Sequence, residues 1–153
     1  MAPLKKIASS YPINRDLGLL IIRLGIGLSM LGFHGYGKIT GGPDTWNMVG
    51  GSMQNLGITF APAFWGFMAA FSEFFCSILL VLGVLFRPAA ALLAFTMVVG
   101  TMMHLNLPAD NPSSGWTGAS HALELLCVYV GLLFAGPGRF AFSLLWRKDI
   151  EAD

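Results

Sequence analysis

Four long apolar runs constrain this chain more than any other feature of its sequence. Each approaches the ~20 residues that an α-helix needs to cross a hydrocarbon layer of ~30 Å. None shows the alternating apolar and polar residues of a membrane β-strand. The runs cover about residues 17–37, 62–86, 88–107 and 119–136. The sequence therefore predicts an all-α protein, an up-down bundle of four transmembrane helices that forms one membrane domain over residues 1–153.

The composition fits a chain that lipid surrounds. Charged residues make up 11% of the 153 residues, whereas a soluble domain carries about 25%. The chain therefore lacks the charged side chains that would face water on all sides. Its net charge of +1 gives no general attraction to nucleic acid. We expect the lipid bilayer as a partner and no nucleic acid.

Basic residues predict the orientation of the bundle. They precede the first run, separate the second from the third, and follow the fourth: Lys5, Lys6, Arg15, Arg87, Arg139, Arg147 and Lys148. The opposite side carries Lys38 at its border, with Asp44 and Asp110 in its loops. Because basic loops stay in the cytoplasm, we expect both termini there. The expected location is a bacterial or archaeal cytoplasmic membrane, which the chain crosses several times.

The two connections on the outer side differ in character. Residues 106–118 are rich in Pro, Asn and Ser and predict an irregular loop. Residues 39–61 carry apolar side chains at helical spacing, namely Trp46, Met48, Val49, Met53 and Leu56. This spacing predicts a short amphipathic helix that lies along the membrane interface.

Six ionisable residues lie inside the apolar runs, where such groups are costly and usually functional. They are Arg23, His34, Glu73, His104, His121 and Glu124. Arg23 and Glu73 both fall near the middle of their runs, and a buried arginine needs a compensating carboxylate. We expect a structural Arg23–Glu73 ion pair, with Glu124 as the alternative or third member. Such a pair can serve only to fix the register of the helices.

Three histidines lie toward the outer side of the predicted bundle. His34 is near the outer end of the first run, His104 ends the third, and His121 begins the fourth. Glu124 follows His121 by three residues and can share its helix face. The expected catalytic groups of one outer pocket are His34, His104, His121 and Glu124. The expected cofactor-binding groups are His34, Lys38, His104 and His121. A histidine near a helix end is, taken singly, more often an interfacial residue.

The two cysteines, Cys76 and Cys127, each follow a carboxylate by three residues inside an apolar run. Their positions argue against a secreted disulfide scaffold. Buried inert thiols are the common case at such positions, and a redox pair is the alternative.

The order of these residues resembles the DoxX family of small membrane proteins over about residues 15–145. The resemblance rests on Arg23, His34-Gly35-x-x-Lys38, Glu73, Gly83-x-x-x-Arg87-Pro88-Ala89-Ala90, His104, Glu124 and Gly136-Pro137-Gly138-Arg139. It implies a four-helix membrane bundle. The family is named for a subunit linked to thiosulfate:quinone oxidoreductase and terminal quinol oxidase, which implies quinone or sulfur redox chemistry.

Three functions are compatible with the sequence. In the first, a quinone binds beside the imidazoles and the carboxylate, against apolar walls such as Phe33, Phe64, Trp65 and Phe67. The chain has no flavin or dinucleotide fingerprint, so electrons would come from a metal, a thiol or another membrane or peripheral subunit of a larger oxidoreductase. In the second, the histidines bind a transition metal or haem b. In the third, the chain is a non-catalytic accessory or assembly subunit. A transporter fits less well, since paired repeats and broken helices are missing.

Overall fold

The computed structural model describes residues 12–142, which form helices and turns and contain no strand. In chain order the elements are α1 (Arg15–Thr40), α2 (Gly42–Gly50), a 3₁₀ turn (Gly51–Leu56), α3 (Pro62–Leu82), α4 (Phe86–Leu105) and α5 (Gly115–Ala135). Of these, α1, α3, α4 and α5 are long and apolar enough to cross a membrane. The predicted all-α bundle of four membrane spans is confirmed.

Local sequence signals set the helix ends. The Asn14 side chain caps α1 by accepting a hydrogen bond from the Leu17 N–H at 3.0 Å. The second span was predicted to reach residue 86, but α3 ends at Leu82 because Gly83 adopts a left-handed conformation (φ 73°). The next helix consequently begins at Phe86 rather than at 88, with Pro88 in its first turn, where a missing N–H is tolerated.

The core lies between α1, α3, α4 and α5. Leu80, Leu93 and Tyr129 are fully buried at its centre, and α4 and α5 form the most extensive helix pair. Large apolar side chains also cover the outside of the bundle, where Phe33 is 85% and Phe134 is 79% exposed. An outer surface of this kind is suited to contact with lipid.

Two of the spans contain a turn of π-helix, and these two turns face each other. Met30–Gly35 is the π-turn of α1, and Ser72–Cys76 is the π-turn of α3. Gly35 lies directly against the backbone of Glu73: a Cβ on this glycine would be 2.6 Å from the carbonyl carbon and oxygen of Glu73. This close contact fixes the register of α1 along α3. π-Turns within α-helices occur frequently at functional sites.

The helix predicted within residues 39–61 is present as α2, and it packs against the first turns of α3. A Cβ on Gly50 would collide with the Pro62 carbonyl, and one on Gly66 with the Trp46 carbonyl, so the two helix backbones touch. The Trp46 indole Nε1 also donates to the Lys38 carbonyl at 2.8 Å. These contacts fold α2 back over one end of the bundle.

The opposite end of the bundle, which we call the arginine end, is held by Arg15, Arg23 and Arg87. Arg23, 1% exposed, donates from Nε to the Leu80 carbonyl at 3.1 Å and from Nη2 to the Val81 carbonyl at 2.7 Å. Its Nη1 donates to the Pro137 carbonyl at 2.5 Å. The last carbonyls of a helix lack partners and carry partial negative charge. Arg23 therefore satisfies the end of α3.

The other two arginines of the arginine end bind the end of α5. Arg15 donates to the Ala135 carbonyl at 2.8 Å, and Arg87 donates to the Leu133 carbonyl at 3.3 Å. These bonds tie the first turn of α1 and the first turn of α4 to the last turn of α5. Four of the basic residues that predict the orientation, Lys5, Lys6, Arg147 and Lys148, lie outside the described residues.

Candidate functional site

The one ion pair among residues 12–142 joins Lys38 of α1 to Glu73 of α3. Lys38 Nζ lies 2.6 Å from Oε1 and 2.5 Å from Oε2 of Glu73. Glu73 is 3% exposed, and the lysine is more open. The predicted Arg23–Glu73 pair is therefore wrong: Glu73 is compensated by Lys38, and Arg23 is compensated by carbonyls.

The register of α1 explains this error. Gly35 lies against Glu73, and Arg23 precedes Gly35 by 12 residues, which is about 18 Å along a helix axis. Arg23 is therefore level with the end of α3 rather than with its middle. Lys38 follows Gly35 by less than one helical turn, so its flexible side chain reaches back to the carboxylate. The position of a residue within its own apolar run does not reveal such a shift between helices.

A cavity of about 400 Å³ opens beside this ion pair, between α1, α3, α4 and α5. Five of the ionisable residues singled out from the sequence line it: His34, Lys38, Glu73, His104 and His121. The remaining wall is mostly apolar and includes Met30, Phe64, Trp65, Met68, Phe95 and Met97. Residues from the α2 end, among them Val49 and Met53, close one side of the cavity. The helices thus bring together groups from the first to the last span.

The apolar wall only partly follows the prediction. Phe64 and Trp65 line the cavity, whereas Phe33 points away from it and Phe67 packs edge-on against Trp46. Phe33 is on the outside because it belongs to the lipid-facing side of the π-turn in α1.

The three histidines make two kinds of contact. The rings of His34 and His121 stack with their centroids 5.6 Å apart and an interplanar angle of 27°. His104 Nδ1 lies 2.7 Å from the Ser113 carbonyl oxygen. A carbonyl can only accept a hydrogen bond, so this Nδ1 carries the proton, and in the neutral ring Nε2 is left as an acceptor. His104 is therefore oriented by the loop before α5, and His34 is oriented by α5 itself.

Glu124 does not belong to this cavity. It is exposed on the outside of α5, and no side chain of residues 12–142 forms an ion pair or hydrogen bond with it. Three residues along an α-helix correspond to a rotation of about 300°, so Glu124 points some 60° away from His121. That offset is enough to turn the carboxylate out of the bundle. Cys127, one turn further on, is also exposed, while Cys76 is buried.

Two further polar groups of the cavity are missing from the sequence prediction. The Trp65 indole Nε1 and the Ser72 hydroxyl are buried, have no hydrogen-bond partner in the described part of the chain, and line the cavity. A buried donor without a partner is costly, so these atoms are suited to a ligand. The sequence predicts Trp65 only as part of the apolar wall, and Ser72 has no signal in the sequence other than its position directly before Glu73.

The described residues do not provide a set of ligands for a metal ion. Among residues 12–142, no three His, Cys, Asp or Glu side chains come close enough together to hold a metal ion. The stacked imidazoles and the bound His104 account for the separation of the three histidines.

The chain matches a known protein family. The sequence model of the DoxX family matches residues 18–105, which is more than half of the chain. The chain belongs to the DoxX family. The DoxX match spans α1 to α4 and so contains Lys38, Glu73, His34 and His104 of the cavity. His121 and Glu124 lie beyond the matched residues. No curated protein and no solved structure matches the chain.

The DoxX assignment and the four apolar spans agree that this is a multi-pass membrane protein in contact with lipid. The Lys38–Glu73 salt bridge then lies inside a membrane-spanning bundle. Ionisable groups in such places mark functional sites by default.

Proposed function

We propose that this DoxX protein binds a quinone in the cavity beside Lys38 and Glu73, and that it works as a subunit of a membrane oxidoreductase. The observation that carries the proposal is the polarity of the cavity. Its walls are mostly apolar, and the polar side chains of the lining are the ion pair, the imidazoles, Trp65 and three hydroxyl residues, Ser52, Ser72 and Thr96. A quinone has the matching distribution, with two polar carbonyls on an otherwise apolar molecule.

The size of the cavity supports a ligand of this class. Ligand pockets usually measure about 300–1,000 Å³ and are largely apolar with a few placed polar groups. A volume of about 400 Å³ accommodates a substituted quinone ring.

Hydrogen-bond donors are available for a quinone carbonyl. An ammonium group has three N–H donors, and Lys38 uses its contacts with Glu73 for two of them. The third can point to a ligand, as can the Trp65 indole N–H, which has no partner among the described residues. Hydrogen bonds from both donors would become stronger as negative charge develops on a quinone oxygen.

Proton supply is the second requirement. Reduction of a quinone to a quinol consumes two electrons and two protons. Histidine titrates near neutral pH and can pass protons, and the His34–His121 stack borders the cavity. The chain carries no flavin or dinucleotide fingerprint. A partner oxidoreductase subunit therefore supplies the electron pair in this proposal.

A role in assembly is the second candidate, and Glu124 favours it. This carboxylate lies near the middle of α5 and is exposed on the outside of the bundle. A charged group at that depth rarely faces lipid, because exposure to hydrocarbon costs several kcal/mol. A neighbouring subunit with a hydrogen-bond donor or a cation at the same depth would remove that cost.

Two carboxylate variants separate these functions. Quinone affinity would be measured in nanodiscs by ligand quenching of tryptophan fluorescence, and subunit assembly by native mass spectrometry. Glu73→Gln should weaken quinone binding by about tenfold or more, equivalent to about 1.4 kcal/mol, and leave assembly unchanged. Glu124→Gln is the matched control, since it makes the same chemical change outside the cavity.

The quinone proposal is overturned if the folded wild-type protein binds no quinone, or if Glu73→Gln and Glu124→Gln affect its affinity equally. The assembly proposal predicts the reverse pattern, in which only Glu124→Gln releases a partner or a second copy. An unchanged assembly state in both Glu124→Gln and Glu124→Leu would exclude a contact through this carboxylate, because leucine removes the hydrogen-bond acceptor that glutamine retains.

A further inference from the structure

A second cavity, of about 180 Å³, lies between α1 and α5. We call it the α1–α5 cleft. From α1 it is lined by Gly25, Ile26, Ser29, Met30 and His34, and from α5 by His121 and Leu125. Its lining is apolar apart from the Ser29 hydroxyl and the two imidazoles. Gly25 and Ser29 are exposed at the outside of the bundle, so the cleft opens toward lipid.

The cleft adjoins the main cavity. Four residues line both spaces: Met30, His34, His121 and Leu125. The stacked histidine rings therefore stand at the junction between the site of the ion pair and the lipid-facing side. A molecule that fills both spaces would pass beside these rings.

The packing of α1 and α5 leaves room for this opening. At the arginine end the two helices are joined through Arg15 and Arg23, which bind the Ala135 and Pro137 carbonyls. At the other end they meet through the His34–His121 stack. Between these two connections the described backbones do not approach each other closely, unlike those of α4 and α5. The bundle is thus tied at both ends and open along one side.

We propose that the α1–α5 cleft is a lateral passage and binding site for the apolar chain of the ligand. The ring lies beside Lys38 and Glu73, and the chain leaves between α1 and α5 into the bilayer. This inference rests on the proposed function, since it assigns a second part of the same ligand. A lipid-soluble quinone then reaches its site without crossing water, and the cleft rather than the ion pair distinguishes long-chain quinones from chainless ones.

A substitution at Gly25 tests whether the cleft holds the apolar chain of the ligand. A Cβ on Gly25 has no atom within 4 Å, so Gly25→Leu should fill the cleft without a collision. Gly18→Leu is the matched control: Gly18 lies on the same helix, is exposed, has equally open surroundings and does not line the cleft. Thermal unfolding of both variants would verify that each is folded.

The probes are a chainless naphthoquinone and a naphthoquinone with a long isoprenoid chain, each titrated into nanodiscs. Gly25→Leu should weaken the long-chain quinone by about tenfold and change the affinity of the chainless quinone by less than about twofold. Gly18→Leu should change neither. A photoreactive group placed on the chain should attach to residues 25–29 of the wild-type protein.

The outcomes are distinguishable from those of the quinone proposal itself. If wild type binds neither probe, the quinone proposal fails, and the cleft loses its ligand with it. If wild type binds both probes and Gly25→Leu leaves both affinities unchanged, or weakens both equally, the cleft does not hold the chain. Attachment of the photoreactive group away from α1 and α5 would overturn the inference in the same way.

Discussion

The Lys38 ammonium lies 2.6 and 2.5 Å from the two carboxylate oxygens of Glu73. This ion pair joins the residue that follows the π-turn of α1 by three positions to the π-turn of α3. The pair contributes charged groups to the lining of a cavity that is otherwise mostly apolar. Its two members come from helices whose backbones touch at Gly35 and Glu73. The cavity, the ion pair and the register of α1 are thus parts of one local arrangement.

The ion pair should show strong energetic coupling. Removing one partner of a buried pair typically costs about 3–5 kcal/mol because the other charge is left uncompensated. Lys38→Met should therefore lower the free energy of unfolding by about 3 kcal/mol, near the lower end of that range because the lysine is partly exposed. The double variant K38M/E73Q should recover most of this loss, since no buried charge remains.

A double-mutant cycle measured by denaturant titration in micelles checks this coupling. The single variants Lys38→Met and Glu73→Gln supply its other corners. Strictly additive effects of the two substitutions would contradict a direct interaction between the side chains.

Gly35→Ala should disturb the site without altering any polar group. The new methyl group would lie 2.6 Å from the Glu73 carbonyl, so α1 must move away from α3. Such overpacking typically costs about 1–3 kcal/mol. The expected result is a lower unfolding midpoint together with weaker quinone binding. Gly37→Ala is the control, since a Cβ there has no atom within 4 Å. Equal stability of the two variants would mean that the close contact is absent.

Even a conservative substitution of Arg23 should destabilise the fold. Its guanidinium donates to two carbonyls at the end of α3 and to the Pro137 carbonyl in the segment after α5. The compact ammonium of lysine cannot match this planar set of donors. Hydrogen bonds to charged groups contribute about 1.5–3 kcal/mol each, so Arg23→Lys should destabilise the fold by about 2 kcal/mol or more. Arg15→Lys should have a smaller effect, because Arg15 is exposed and binds one carbonyl. Unfolding midpoints compare the two, and a similar loss in both would contradict a special role of Arg23.

The sequence predicts the scaffold well because long apolar runs have few structural solutions in a membrane. The four spans and the convergence of His34, His104 and His121 on one cavity follow from run length and position, and the helix after the first span follows from the spacing of its apolar side chains. The partner of Glu73 does not follow, because a backbone contact at Gly35 shifts α1 relative to α3. Relative helix register depends on such contacts between spans, and a single sequence shows only positions within each span.

The sequence also does not reveal which residues of a helix point into the cavity. His121 and Glu124 are close in sequence and both are exposed, yet only His121 lines the cavity. A spacing of three residues leaves an offset of about 60° between the two side chains, and the sequence does not show on which side of that offset the cavity ends. The π-turns lack a clear sequence signature because tertiary contacts, such as that of Gly35, stabilise them.

The orientation of the bundle is open to a direct chemical test. The positive-inside rule predicts that the arginine end faces the cytoplasm and that the loop between α4 and α5 faces outward. In a Cys76→Ala, Cys127→Ala background, Asp110→Cys should react with a membrane-impermeant maleimide on intact cells. Leu85→Cys should react only after the membrane is opened. Both positions are exposed in turns of the structure, so access to the reagent depends on the side of the membrane. The reverse labelling pattern would place α2 and the neighbouring histidines on the cytoplasmic side, and protons for the quinone site would then come from the cytoplasm.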